Sequence, residues 1–361
     1  MDMLTLLVKP AAGLCNMRCE YCFYRAVSGT RENRVMTRET VDLLLEKVRL
    51  RAPRALSVLF QGGEPTLAGL DYYAYFTERA AKTLRCPVSY ALQTNGLLLD
   101  DAFARFFKAR DFLIGVSLDG GAAVNDRYRR GERGESVTAR VLEAIALLRR
   151  HQVDFNILSV IDDANAADIG ATWQFFKEQD FRYLQFIPCV EAGGVTLSPE
   201  RYAAFLRESF ELWYEDYIAG RYISVRHIDN YIGILMGRQP ENCAMCGVCG
   251  SYFVVEADGS LYPCDFYCGA QDRLGSVADS DPFGLNEKHL AFIRRSERIH
   301  AYCAGCGDQF LCRGGCSRDR TDDGTRNRYC EAYREFFRCA SGRMNRIAAS
   351  LTGEQLEPLP F

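Results

Sequence analysis

The sequence predicts an α/β fold: a partial (β/α)6 TIM-like barrel followed by a C-terminal domain rich in cysteine. Six short apolar strands alternate with helical segments before residue 190, three cysteines follow the first strand, and eleven of the sixteen cysteines lie between residues 243 and 339. Parallel strands need crossover connections, which the helical segments supply. The alternation therefore predicts a parallel sheet with helices outside it.

The six predicted strands are short runs rich in apolar residues. They cover residues 3–8, 56–60, 88–93, 112–117, 154–161 and 182–187. Six strands are too few to close an eight-stranded barrel, so we expect an open, partial barrel. Parallel barrels carry their chemistry on loops at the C-terminal ends of the strands. The loop after residue 8 is therefore a candidate site.

Helices are predicted wherever apolar residues recur at helical spacing. After Thr37, the residues Val41, Leu44, Leu45 and Val48 fall on one face. Similar patterns predict helices over residues 71–84, 100–109, 138–151, 165–178, 201–217 and 331–351.

The character of the sequence changes near residue 243, where short strands, turns and cysteines replace the alternation. Residues 254–262 carry Asp258-Gly259 at their centre and predict a β-hairpin. We therefore predict a barrel domain over residues 1–225, which includes the start of a helical connector, and a cysteine-rich domain over residues 226–361.

Composition argues against several classes of function. The chain has 361 residues and a net charge of −3, which does not indicate a nucleic-acid partner. We also expect no membrane association, because no apolar run approaches the roughly 20 residues that a membrane helix needs. We expect no export signal, because the first residues lead straight into a predicted strand. The cysteines then indicate metal or clusters in a reducing cytoplasm rather than disulfides.

The most specific motif is Cys15-x3-Cys19-x2-Cys22, with the aromatic Tyr21 before its third cysteine. Three thiolates can bind three irons of a [4Fe–4S] cube and leave the fourth iron open to a chelating substrate. A closed electron carrier would bind every iron. Zinc is the alternative, although tetrahedral zinc usually takes two separated pairs of ligands.

This motif resembles that of the radical S-adenosylmethionine (radical SAM) enzymes. The resemblance implies that the amino and carboxylate groups of S-adenosyl-L-methionine chelate the open iron. It also implies cleavage of the cofactor to methionine and a 5′-deoxyadenosyl radical. A GGEP-like motif that includes Gly63 and Glu64 follows the second predicted strand, and in this family such a motif holds the amino group of the cofactor.

Other residues after the predicted strands are candidates for cofactor contacts. Ser117 ends the fourth strand and Arg129 follows it, and they are candidates for the ribose and the carboxylate. Val190 follows the sixth strand and is a candidate for packing on adenine. The alternatives are an ordinary glycine-rich turn for the GGEP-like motif and a solvated side chain for Arg129.

The C-terminal cysteines resemble those of the SPASM domain, a two-cluster extension of radical SAM enzymes that modify peptides and proteins. Eight thiols suffice for two fully ligated [4Fe–4S] clusters, which makes three clusters in all. The resemblance assigns one set to the first auxiliary cluster and one to the second: Cys243, Cys249, Cys264 and Cys316, then Cys303, Cys306, Cys312 and Cys330. Zinc remains the alternative here. Cys246, Cys268 and Cys339 are left without a role, and a ligand swap at Cys246 stays open.

Nearly the whole chain is similar to the anaerobic sulfatase-maturating enzymes. The runs that carry this resemblance are residues 60–67, 93–96, 185–189, 254–267 and 312–316. The resemblance implies oxidation of the cysteine or serine of a sulfatase Cys/Ser-x-Pro-x-Arg motif to Cα-formylglycine. The substrate is then an unfolded or nascent sulfatase polypeptide, and the electron donor is a protein such as flavodoxin or ferredoxin.

Asp265 matches the catalytic base of that family and directly follows Cys264, a predicted cluster ligand. The alternative is a carboxylate that caps a turn. Two other functions stay open. One is another SPASM enzyme that crosslinks or epimerises a ribosomal peptide, and the other is a non-catalytic electron carrier or zinc module.

Overall fold

The computed structural model describes residues 3–25, 34–321 and 325–353. The chain divides into two compact units. Unit 1 comprises Met1–Leu158, Val190–Gly194 and Gly250–Phe292, and unit 2 comprises Ser159–Cys189, Val195–Cys249 and Ile293–Phe361. Each unit combines segments of both predicted domains. The predicted domain boundary after residue 225 therefore stays a prediction.

Unit 1 is built on a parallel sheet. Its strands pair in chain order, each parallel to the next: β1 (Met3–Val8), β2 (Ala55–Phe60), β3 (Val88–Thr94), β4 (Phe112–Ser117) and β5 (Phe155–Ile161), the last of which continues into unit 2. Leu6, Val8, Val58 and Phe60 are completely buried. The predicted parallel sheet is confirmed, and its closure into a partial barrel stays a prediction.

A hairpin extends the sheet beyond the other edge of β1. The strand β8 (Phe253–Val255) lies parallel to β1, and β9 (Ser260–Tyr262) lies antiparallel to β8. A third short strand, β10 (Gly275–Ser276), pairs with β9. Gly259 turns the hairpin with a φ of 82°. The predicted hairpin is present, and the loop after it brings Cys264 and Asp265 into unit 1.

Five helices connect the strands of unit 1 within the described residues: α1 (Arg38–Arg51), α2 (Leu70–Thr83), α3 (Asp101–Ala109), α4 (Ala122–Tyr128) and α5 (Thr138–Arg150). The helix α1 begins after Thr37, whose side chain accepts a hydrogen bond from the Thr40 N–H. Its buried residues are the four that the apolar spacing predicts. The short helix α4 was not predicted.

Unit 2 is mainly helical. Its elements are α6 (Asp163–Ala167), α7 (Ile169–Glu178), α8 (Pro199–Ile218), α9 (Arg226–Leu235), α10 (Glu287–Glu297, which starts in unit 1), α11 (Gln309–Cys312), α12 (Cys330–Thr352) and the parallel strands β6 (Tyr183–Pro188) and β7 (Ser224–Val225). Phe210 of α8 packs edge-on against Phe336 of α12, with ring centroids 5.8 Å apart. The single helix predicted over 165–178 is two helices that meet at Asp168. Within the described part of the chain, no helix has both the length and the apolar character to cross a membrane.

Candidate functional site

The three cysteines of the loop from Cys15 to Cys22, here called the cysteine loop, are electrostatic neighbours. Burial raises the pKa of Cys15 to about 12, and the charges of Glu64, Cys19 and Cys22 act in the same direction. Burial also raises the pKa of Cys19. Thiols bind metals as thiolates. Iron ions that displace the protons of these thiols would therefore stabilise the clustered thiolates. The loop therefore fits an iron–sulfur cluster.

Backbone contacts from two sides fix the cysteine loop. The Arg18 N–H donates to the Arg130 carbonyl and the Glu20 N–H donates to the Tyr128 carbonyl, both at 3.0 Å. The segment 190–194 approaches from another direction, since a Cβ at Gly193 would lie 2.3 Å from the Glu20 carbonyl oxygen.

Gly63 and Glu64 tie the GGEP motif to the same loop. Gly63 has a φ of +41°, and a Cβ there would lie 2.2 Å from the carbonyl oxygen of Leu14. The Glu64 N–H donates to that oxygen at 2.7 Å. Because Leu14 directly precedes Cys15, the glycine sets how closely the motif approaches the first cysteine.

The Glu64 carboxylate is buried and joins the ends of β2 and β3. Its Oε1 accepts hydrogen bonds from the Thr66 N–H at 3.0 Å, the Thr66 hydroxyl at 2.5 Å and the Thr94 hydroxyl at 2.7 Å. Its Oε2 accepts from the Asn95 N–H at 2.7 Å. Burial raises the pKa of Glu64, and these donors oppose the rise. A carboxylate oxygen has two lone pairs, so Oε2 retains one acceptor position.

Tyr21, Asp119 and Arg129 form a buried network beside Cys19. The Tyr21 hydroxyl donates to Asp119 Oδ2 at 2.6 Å, and Arg129 Nη1 donates to the Tyr21 oxygen at 2.9 Å. Burial acts to lower the pKa of Arg129, but the charges of Tyr21, Cys19 and Asp119 outweigh it and raise that pKa. Within the described residues, Arg129 Nε is buried without a hydrogen-bond partner. A fixed positive charge with a spare donor suits a carboxylate.

Ser117 and Val190 are the remaining predicted cofactor residues, and both lie in unit 1. Ser117 ends β4 and pairs with Leu158 of β5. Val190 opens the segment 190–194 that approaches Glu20, and its side chain is partly buried. Their contacts to a cofactor stay a prediction.

Asp265 lies among buried charges. Its Oδ1 is 2.5 Å from Lys9 Nζ, which is also 3.6 Å from Glu256 Oε1. Gln61 Nε2 donates to Asp265 Oδ2 at 3.0 Å. The carboxylate therefore binds side chains that follow β1 and β2. Neither Lys9 nor Glu256 was predicted as a site residue.

The loop that carries Asp265 is held by a tyrosine and a buried thiol. The Tyr252 hydroxyl donates to Cys264 Sγ at 3.4 Å and accepts from the Asp265 N–H at 3.3 Å. The thiol of Cys268 donates to the Cys264 carbonyl at 3.2 Å. Cys268, for which the sequence suggests no role, thus acts as a small packing residue beneath this loop.

Four cysteines of unit 2 line one cavity, here called the cysteine cavity: Cys303, Cys306, Cys312 and Cys330. Burial raises the pKa of Cys312 to about 11, and the charges of the other three thiols act in the same direction. Four converging thiols around a cavity fit a fully ligated iron–sulfur cluster.

A second cysteine group of unit 2 contains Cys243, Cys249 and Cys316. Burial raises the pKa of Cys316 to about 12, and Cys243 contributes to the rise. The thiol of Cys249 is 3.2 Å from the hydroxyl of Ser317. The fourth predicted ligand, Cys264, belongs to unit 1. The assignment of these four cysteines to one cluster stays a prediction.

Cys246 lies between two predicted ligands and makes other contacts. Its thiol donates to the carbonyls of Pro240 and Asn242, both at 3.6 Å. Across residues 3–25, 34–321 and 325–353, no three His, Cys, Asp or Glu side chains converge closely enough to hold a single metal ion.

Comparison with known proteins agrees with this geometry. The Radical SAM superfamily matches residues 11–176. A cysteine-type anaerobic sulfatase-maturating enzyme from Clostridium novyi is 35% identical and covers 98% of this chain and 100% of that protein. A serine-type enzyme from Bacteroides thetaiotaomicron is 29% identical, with 98% and 93% covered.

Among solved structures, native anSMEcpe with bound AdoMet and Cp18Cys peptide superimposes with a TM-score of 0.91. It is 36% identical, and the match covers 97% of this chain and 99% of that one. Similarity of this extent in both sequence and structure leaves no large part of the chain unmatched. The chain belongs to the anaerobic sulfatase-maturating enzymes of the radical SAM superfamily.

Proposed function

We propose that this protein oxidises the cysteine of a sulfatase Cys-x-Pro-x-Arg segment to Cα-formylglycine by radical SAM chemistry. The observation that carries the proposal is the position of Asp265. It lies in the same compact unit as the cysteine loop and the GGEP motif. Its two carboxylate oxygens are held by the buried Lys9 and the partly buried Gln61. A cysteine target is favoured over serine because identity is 35% to a cysteine-type and 29% to a serine-type enzyme.

In this proposal, Cys15, Cys19 and Cys22 hold a [4Fe–4S] cluster. Together with S-adenosyl-L-methionine, that cluster supplies, when bound, the 5′-deoxyadenosyl radical that removes a hydrogen from the substrate Cβ. The protein's part is to position the cofactor beside the substrate and to keep water away from the radical.

Six residues in or around the cysteine loop are proposed to orient the cofactor. Arg129 binds its carboxylate through the buried Nε, which lacks a partner among the residues that the structure describes. Tyr21 fixes the guanidinium from one side. Gly63 brings the motif backbone close to the loop, while Glu64 has one free acceptor position for the amino group. Ser117 and Val190 are proposed to contact the ribose and the adenine.

Asp265 is proposed to accept the thiol proton of the substrate cysteine. A general base must lie within hydrogen-bond reach of the proton that it takes and must be ionised at the working pH. The ammonium of Lys9 lies 2.5 Å from Oδ1 of this carboxylate.

We propose that other cysteines would hold two further [4Fe–4S] clusters, which would supply acceptors for the electron that the substrate gives up. Cys303, Cys306, Cys312 and Cys330 would hold one, and Cys243, Cys249, Cys264 and Cys316 would hold the other. Cys264 precedes Asp265 directly, so proton and electron would leave the substrate at adjacent residues. A flavodoxin or ferredoxin is the proposed electron donor.

The test is anoxic incubation of a short Cys-x-Pro-x-Arg peptide with the reduced, cluster-loaded enzyme and S-adenosyl-L-methionine, followed by mass spectrometry. Formylglycine replaces one sulfur and two hydrogens with one oxygen. A matched peptide with alanine at the target position is the control. Loss of two hydrogens with the sulfur retained after hydrolysis would instead support a thioether-forming SPASM enzyme, and an unchanged mass with inverted Cα would support an epimerase.

A further inference from the structure

A fully buried lysine lies beside the proposed base. The side chain of Lys9 is 0% exposed, and its Nζ lies 2.5 Å from Asp265 Oδ1 and 3.6 Å from Glu256 Oε1. Nζ is also 3.7 Å from the centre of the Tyr24 ring. A buried ammonium is costly unless charges or aromatic faces compensate it. These three partners supply that compensation.

The surrounding backbone fixes the position of Lys9 and the course of its side chain. The Lys9 N–H donates to the Val255 carbonyl at 2.9 Å, which anchors its backbone to β8. Its stem runs over Gly62, where an added Cβ would lie 2.8 Å from both Cγ and Cδ. The first glycine of the GGEP motif therefore leaves the space through which the lysine stem reaches Asp265.

Lys9 also connects the base to the cysteine loop. The hydroxyl of Tyr24, two residues after Cys22, donates to Glu256 at 3.0 Å and 3.1 Å from its two oxygens. The ammonium thus lies between Asp265 and a carboxylate that Tyr24 already binds. Burial acts to lower the pKa of Lys9, but the charges of Asp265, Tyr24, Cys268 and Glu256 outweigh it and raise that pKa.

We propose that Lys9 is a positioning residue for the proton-transfer step. Its ammonium occupies Oδ1 of Asp265 and fixes the plane of the carboxylate, so that Oδ2, where Gln61 donates, is the oxygen that receives the substrate proton. In that step the S–H bond of the substrate breaks and an O–H bond forms at Oδ2. The inference rests on the role of Asp265 in the proposed function.

The test compares two products of the same reaction, 5′-deoxyadenosine and peptide aldehyde. In Lys9→Met, the ammonium is lost and the carboxylate can rotate. We expect the yield of aldehyde per 5′-deoxyadenosine to fall roughly 10- to 100-fold, because small misplacements of a catalytic group have effects of this size. Lys82→Met, which removes an exposed lysine of the same unit, should leave the ratio unchanged.

A double variant separates positioning from a merely structural role. If Lys9 acts through Asp265, adding Lys9→Met to Asp265→Asn should lower the yield of aldehyde per 5′-deoxyadenosine little further. The reason is that the effects of two coupled residues do not add. A structural role would instead reduce iron content and 5′-deoxyadenosine formation by the same factor in both backgrounds. That result would overturn the inference.

The outcomes also separate this inference from the proposed function. If Asp265→Asn retains full aldehyde yield, the proposed base is wrong. If Asp265→Asn loses aldehyde while Lys9→Met keeps the ratio of the unmodified protein, only the role of Lys9 is wrong. Should Lys9→Met bind no clusters, Lys9→Gln gives the same measurement. Its amide ends one bond short of Asp265, so the ratio should still fall, and an unchanged ratio would contradict positioning.

Discussion

The cysteine loop of unit 1 and the cysteine cavity of unit 2 use the same side chain in different ways. The loop brings together three thiols beside Arg129, whose buried Nε lacks a partner within the described residues. The cavity brings together four thiols. Three ligands leave one corner of a cube for a substrate, whereas four close it. Ligand number and the neighbouring charges therefore separate a cluster suited to catalysis from one suited to electron transfer.

The largest expected effect comes from removing a cysteine of the loop and is compared with removal of a cysteine of the cavity. Cys19→Ala removes one of the three proposed ligands, so we expect no detectable 5′-deoxyadenosine from anoxic, reduced enzyme. Cys312→Ala removes a proposed ligand from the cysteine cavity and should lower the iron content while S-adenosyl-L-methionine is still cleaved. Chromatography of 5′-deoxyadenosine and iron analysis measure both. Cleavage by the Cys19 variant would refute the loop assignment.

The next effect concerns the charge that distinguishes the loop. Arg129→Met should weaken binding of S-adenosyl-L-methionine by roughly 10- to 100-fold, because a buried charge-assisted hydrogen bond contributes about 1.5–3 kcal/mol. Anaerobic equilibrium dialysis measures the dissociation constant. The neighbouring Arg130 is exposed, and Arg130→Met is the matched control. Equal affinities of the two variants for S-adenosyl-L-methionine would show that Arg129 does not bind the carboxylate of the cofactor.

A smaller effect concerns the ligand nearest the base. Tyr252→Phe removes the hydrogen bond to Cys264 Sγ. Hydrogen bonds to cluster sulfurs help to set the reduction potential, so one auxiliary cluster should shift to lower potential by an amount on the order of tens of millivolts. A redox titration followed by electron paramagnetic resonance measures it, with the exposed Tyr183→Phe as control. An unshifted potential would argue against Cys264 as a ligand.

The smallest effect sharpens the ligand list. The thiol of Cys246 donates to two backbone carbonyls, and a serine hydroxyl can do the same. We therefore expect Cys246→Ser to keep its full iron content and to change the free energy of unfolding by less than about 0.5 kcal/mol. A loss of one cluster's iron would show that Cys246 is the ligand in place of a neighbour.

The sequence predicts the local features of unit 1 well. The strands predicted over 3–8 and 112–117 coincide with β1 and β4, because an apolar run bounded by turn residues is a local signal. The helix predicted over 165–178 is instead split, since Asp162 caps the short helix α6 through the Ala164 and Asn165 amides. Asp162 is a local signal for a helix start, but the apolar spacing alone predicts one continuous helix.

The charged parts of the site could not be predicted in the same way. A lysine after a strand is usually solvated, and the burial of Lys9 depends on Gly62 and Asp265, which are distant in sequence. Asp119 likewise becomes a site residue only through the hydroxyl of Tyr21. Both are properties of tertiary packing. The pair of glycines before Glu64 is a signal in the sequence. It indicates that another part of the chain approaches this backbone closely, but it does not show which part.

Isotope transfer from the substrate tests the central claim most directly. A Cys-x-Pro-x-Arg peptide with deuterium at both Cβ positions is incubated anoxically with the enzyme and S-adenosyl-L-methionine, and 5′-deoxyadenosine is analysed by mass spectrometry. We predict one deuterium in 5′-deoxyadenosine and an aldehyde that retains the other. Deuterium that enters 5′-deoxyadenosine only from a Cα-labelled peptide would contradict abstraction at Cβ and formylglycine formation with it.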